Sequence, residues 1–87
     1  MKSTFTPAPW LIAGTTHDGC EAVIRHNMTP LCLVDITDEN GAANARLIEA
    51  APDLIQAIEH AIQLLPADAP AARILKRAVE RATGRKG

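Results

Sequence analysis

Between Trp10 and Ile36 apolar and polar residues alternate in three short runs, 10–16 (WLIAGTT), 20–26 (CEAVIRH) and 30–36 (PLCLVDI). His17-Asp18-Gly19 and Asn27-Met28-Thr29 separate them. Period-two runs bounded by turn residues predict strands, and Asp18-Gly19 is a hairpin signal because Gly19 can take positive φ. A meander of three antiparallel strands is expected. Beyond it the period changes to that of a helix. Leu47, Ile48, Ala51, Leu54, Ile55, Ile58, Ile62 and Leu65 recur at steps of three and four and predict an apolar stripe over 44–65. Pro52 interrupts it, because proline has no N–H for the carbonyl of Ile48 and disfavours helical backbone at Ala51. Two helices sharing one apolar face are therefore expected, with Pro52 in the first turn of the second. Thr37 or Asp38 is the expected cap before them. After Pro66-Ala67-Asp68-Ala69-Pro70, Asp68 is the expected cap of a last helix with Ala71, Ile74, Leu75, Ala78, Val79 and Ala82 on its apolar side and Gly84 as its stop. The order is β-β-β-α-α-α, an α+β domain over 10–84, with 1–9 an extended lead-in and 85–87 frayed.

Strand parity assigns faces. Trp10 and Ile12, then Cys20, Ala22 and Ile24, then Cys32, Val34 and Ile36 form the set expected to meet the helices. This makes both cysteines small buried side chains. A turn at Asn27–Met28 places Cys32 opposite about Val23, so a disulfide with Cys20 is not expected. The other face carries Leu11, Ala13, Glu21, Val23, Arg25, Leu31, Leu33 and Asp35, too apolar for a sheet facing only water. Self-association through Leu11, Val23, Leu31 and Leu33 is the expectation, with a dimer favoured. Asn44 falls on the predicted buried side of the helix, where its amide would satisfy backbone groups of a neighbouring segment.

Composition narrows the class. Apolar residues are 47% of the 87 and aromatics only 2%, so the core must be built from Ala, Leu, Ile and Val. A chain this short buries only about 60% of its unfolded surface, which leaves stability modest or shared with a partner. The net charge of −1 gives no global attraction to nucleic acid or an anionic membrane. There is no apolar run of about 18 residues and no secretory signal pattern, so a cytoplasmic location is expected, where cysteines stay thiols. His17, Cys20, His26, Cys32 and His60 are the metal-type residues, but only His17-x-x-Cys20 has ligand spacing and Cys32 has no near partner, so no metal is assigned. No nucleophile, base and orienting acid come together in the sequence, and no glycine-rich phosphate loop is present. No catalytic residue or cofactor is assigned, and the chain is read as a non-enzyme. Charge is segregated only near the C-terminus, where Arg73, Lys76, Arg77, Arg81, Arg85 and Lys86 gather. Arg73, Lys76, Arg77 and Arg81 form a candidate basic binding face.

The string Asn44-Ala45-Arg46-Leu47-Ile48, continued by Ala50-Ala51-Pro52-Asp53-Leu54 and preceded by Thr6, Pro7, Pro9 and Trp10, resembles a widespread group of short bacteriophage and prophage proteins. The spacing departs slightly at the start, where Trp10 follows Thr6-Pro7-Ala8-Pro9. The group is mostly of unknown function, so the resemblance implies phage or prophage origin and brings no site residues. Ranked first is a non-enzymatic accessory protein acting by protein–protein contact, on a host protein or host defence, as a homo-oligomer. The alternatives are a nucleic-acid-binding regulator using the basic last helix and an oligomer that binds or sequesters a small ligand.

Overall fold

Asp18 organises the first hairpin. Its carboxylate accepts from the Cys20 N–H at 3.0 Å and from the Thr16 hydroxyl at 2.7 Å, while Thr16 and Glu21 close the loop through a 2.8 Å backbone bond. In the computed structural model, which describes residues 5–84, the hairpin joins β1 (Leu11–Thr15) to β2 (Glu21–His26). A two-residue turn then leads to β3 (Thr29–Asp35), with Asn27 in the left-handed region at φ 55°. Asn tolerates that conformation better than other side chains. The sheet is antiparallel in the order β1-β2-β3, the predicted meander. The expectations for residues 1–4 and 85–87 lie outside the described residues.

Both strand pairs contain an irregularity that strict alternation cannot foresee. Between β1 and β2 the register shifts between Ile12 and Thr15, where Gly14 sits at φ 90°. Between β2 and β3 it shifts between Ile24 and Arg25: His26 faces Thr29 and Arg25 faces Pro30, but Ile24 faces Cys32. One residue, Leu31, is thus extra on β3, beside a proline that cannot donate to the ladder. Cys32 therefore lies opposite Ile24, and not Val23 as a regular hairpin would give. Leu31 packs against the buried cluster, which corrects its assignment to the outer face.

The chain divides into two compact units, Thr6–Pro52 and residues 53–84 with Phe5. In the first, Ala22, Ile24, Val34 and Ala45 are buried together, and Trp10, Leu31, Ile36 and Ile48 pack around them. The Trp10 indole N–H donates to the Thr6 carbonyl at 2.9 Å, tying the lead-in to the first strand. The Ile12 N–H on edge strand β1 donates to the Glu49 carboxylate at 2.8 Å.

Two helices follow the sheet, where three were expected. α1 (Gly41–Leu64) runs through Pro52 without interruption, and α2 spans Pro70–Thr83. A proline inside a helix costs about 3 kcal/mol. Here its ring is fully buried and the two residues before it, Ala50 and Ala51, are strong helix formers, both of which offset that cost. The helix starts later than predicted. Asp35 accepts from the N–H and hydroxyl of Thr37, and Asp38 from the N–H of Asn40, so these carboxylates shape the approach to α1 and neither Thr37 nor Asp38 caps its first turn.

The buried side of α1 in the first unit is Gly41, Ala45 and Pro52, with Ile48 half-buried. Asn44 is exposed, which corrects its placement on the buried side: the helix seats its small residues, and Leu47 is left 62% exposed. Gly41 is required there, since a Cβ would meet the Cα of Ile36 and stand 2.6 Å from the Asp35 carbonyl oxygen. In the second unit α1 half-buries Ile55, Ile58 and Ile62 of the predicted stripe, while Leu54 of the same stripe is 47% exposed. α2 begins with Ala69 at its N-cap and Pro70 next, without a side-chain cap, so Asp68 does not serve as one. It ends at Gly84 in the left-handed conformation, the predicted stop. Of its apolar stripe, Leu75 and Val79 are half-buried while Ala71, Ile74, Ala78 and Ala82 are exposed. Ala72 is the buried residue.

Candidate interaction surfaces

The outer sheet face is set by cross-strand pairs. Val23 faces Leu33 and Leu11 faces Arg25. Val23, on the middle strand, is buried, whereas Leu11 and Leu33 on the two edge strands are each about half exposed. With Leu31 turned to the packed side, the predicted apolar quartet becomes two exposed leucines flanking a buried valine. Glu21, Arg25 and Asp35 are its charged members. Arg25 bends to its own turn and donates to the Met28 carbonyl at 3.3 Å. Glu21 lies opposite Asp35, an unfavourable pair of like charges. Donation from the hydroxyl and backbone N–H of Thr37 holds the Asp35 carboxyl below its ordinary value of 3.8, since both bonds favour the ionised form. The Asp18 carboxyl is lowered for the same kind of reason, first by the Cys20 N–H and then by the Thr16 hydroxyl.

The candidate basic face lies on α2. Arg73, Lys76, Arg77 and Arg81 are all exposed on α2, and Ile74 among them is 68% exposed.

The metal-type residues are placed individually. Both cysteines are exposed thiols, which corrects their assignment to the core. Parity gives the side of the sheet but not how far the cover reaches: Cys20 lies in the turn before β2, and Cys32 on an edge strand. His26 contacts the Pro9 carbonyl through Nδ1 at 3.1 Å and the Asn27 amide nitrogen through Nε2 at 3.3 Å. A single neutral tautomer, protonated on Nδ1, satisfies both. Among the described residues no three His, Cys, Asp or Glu side chains come together as metal ligands. No helix among them is long and apolar enough to cross a membrane.

Sheet and helices thus define a small α+β protein, with two exposed leucines on the outer sheet face and a row of basic residues on α2. The family model described as Salmonella phage P22 protein Y8K6 matches residues 1–86, and the chain belongs to that family of phage proteins. No curated protein and no solved structure matches the chain.

Proposed function

We propose that this phage protein is a non-enzymatic accessory protein that self-associates and acts by contact with another protein, most naturally one of the host. One observation carries the reading. Among the described residues the buried hydrophobic side chains are alanines and valines with Ile24 as the largest, while Leu11, Leu33, Leu47, Leu54, Leu64 and Ile74 stand exposed. Large apolar side chains give most when buried, about 1.5–3 kcal/mol each, so a chain that leaves them outside gains by association. Membership of a phage family gives such contact a setting in the infected cell.

The test is native mass spectrometry of untagged protein purified gently from a bacterial lysate. Multiples of the chain mass, alone or with a stoichiometric protein partner, are expected. In a Leu11→Lys/Leu33→Lys variant the partner or the assembly is lost. A bare monomer that the double substitution leaves unchanged would overturn the reading. The second reading, a nucleic-acid-binding regulator, is favoured by the exposed basic row on α2.

A further inference from the structure

The outer face of the sheet is ordered by charge along its strands. Glu21 lies opposite Asp35, Val23 opposite Leu33 and Arg25 opposite Pro30, with Leu11 on β1 at the other side of Arg25. One end is therefore acidic, the middle apolar and the far end basic. The acidic end is unfavourable as it stands. The Ile36 N–H donates to the Cys20 carbonyl at 3.0 Å, so the adjacent pair of Glu21 and Asp35 is of the non-hydrogen-bonded kind, whose side chains stand closer. Thr37 donates twice to the Asp35 carboxylate, whereas the Glu21 carboxylate has neither a hydrogen bond nor an ion pair among the described residues. At the basic end Arg25 donates to the Met28 carbonyl and meets no carboxylate among the described residues.

We propose that this face binds the same face of a second copy, the strands antiparallel, about a two-fold axis that crosses the sheet at the row of Val23 and Leu33. Charge names the occupant, because the face is complementary to itself once reversed. Sheets packed in the aligned mode stand about 10 Å apart with strands within about 30° of each other, which leaves two symmetric arrangements. With the strands antiparallel, Arg25 of each copy lies over Glu21 of the other, twice, at a separation the two long side chains span together. The repulsion between Glu21 and Asp35 in the single chain is then offset by a cation. With the strands parallel, Arg25 would lie over Arg25 and Glu21 over Glu21. In the antiparallel arrangement Leu33 packs on Leu33 of the second copy, and Leu11 lies over the far end of its β1, where Gly14 carries no side chain. Val23 is already buried, so the area gained comes chiefly from Leu11 and Leu33, each about half exposed. Three strands make a face roughly 14 Å wide, small beside the ~800 Å² per partner of a stable complex, so the dimer is a weak one. This rests on the self-association in the proposed function and deepens it, since it names the occupant of the sheet face and its orientation.

The experiment is sedimentation equilibrium of the full chain up to about 1 mM, a range that reaches a weak dimer. Leu33→Lys is expected to be monomeric with an unchanged circular dichroism spectrum, since that side chain is half exposed. Arg25→Glu and Glu21→Arg each set like charges across the axis twice and are expected to weaken the dimer about tenfold. Arg25→Glu/Glu21→Arg restores the pairing in swapped form and is expected to return to within about twofold of the original affinity. Arg25→Ala separates the two arrangements. It weakens an antiparallel dimer and strengthens a parallel one, and a strengthened dimer would overturn the proposal. So would a Leu33→Lys protein that still dimerises, or a double swap weaker than either single change. If Leu47→Lys, on α1, abolishes the dimer while Leu33→Lys does not, the sheet face is wrong and self-association stands. If the chain is a monomer throughout but carries a second protein that Leu11→Lys/Leu33→Lys releases, the face belongs to that protein. The dimer is then wrong, while the protein contact in the proposed function stands.

Discussion

At the residue scale two positions control whether the sheet and the start of α1 fit together. Gly41 is the tighter constraint, since an added methyl group would meet backbone atoms of Asp35 and Ile36, which cannot rotate away as a side chain can. Gly41→Ala is expected to destabilise the protein by about 2–3 kcal/mol, read from the shift in urea midpoint, even though alanine is the better helix former. An unchanged midpoint would mean that the helix end moves freely from the sheet. Asp35 is the second position. Its carboxyl is lowered by the bonds from Thr37, so its contribution is complete above the ordinary value of 3.8 and is lost as pH falls through the lower folded value. Asp35→Asn should therefore reduce the thermal midpoint at about pH 6, and the gap between the proteins should close below about pH 4. A gap that stays constant through acid would show that ionisation of Asp35 contributes nothing.

At the scale of elements, α1 is the least ordinary piece, because it holds a proline in its interior. Pro52→Ala restores one backbone bond and relieves the clash with the Ile48 carbonyl, together about 3 kcal/mol. It also removes about two methylenes from a buried site, a loss of about 1.6 kcal/mol before any cavity term. A net gain of about 1 kcal/mol is expected, or a rise of about 4–8 °C in Tm. A fall would show that the ring's packing outweighs the helix defect. The same helix shows what was legible in the sequence. Its existence and period were plain, and so were the three strands with their turns, because alternation and Asp18-Gly19 report directly on backbone geometry. Its buried side was not, because a helix rich in alanine has apolar steps on opposite faces, and counting large residues selects Leu47 where close packing selects Gly41 and Ala45. Nor could alternation report the extra residue at Leu31, which moves that side chain to the core and shifts Cys32 to face Ile24. Of the interaction surfaces, the basic row on α2 was legible because its spacing needs no neighbour, whereas the sheet face depended on register and lost one of its four members.

For the whole molecule the deciding quantity is the balance of charge. The chain has nine Lys and Arg against ten Asp and Glu, so the four exposed basic residues of α2 act as a local stripe within a nearly neutral protein. Long-range attraction to a nucleic acid scales with net charge, and short-range binding with the number of phosphates neutralised. Four contacts would give a slope of about −3.6 in log K against log salt, enough to lose about two orders of magnitude between 50 and 200 mM salt. Fluorescence anisotropy with a labelled duplex is therefore expected to show no saturable binding at about 0.15 M salt. Reversing Arg73, Arg77 and Arg81 to Glu should leave self-association through Leu11 and Leu33 unchanged, because that row lies on α2 and the two leucines on β1 and β3. Binding that persists at this salt, with a slope near that value and lost in the triple variant, would replace the protein-contact reading with the nucleic-acid one.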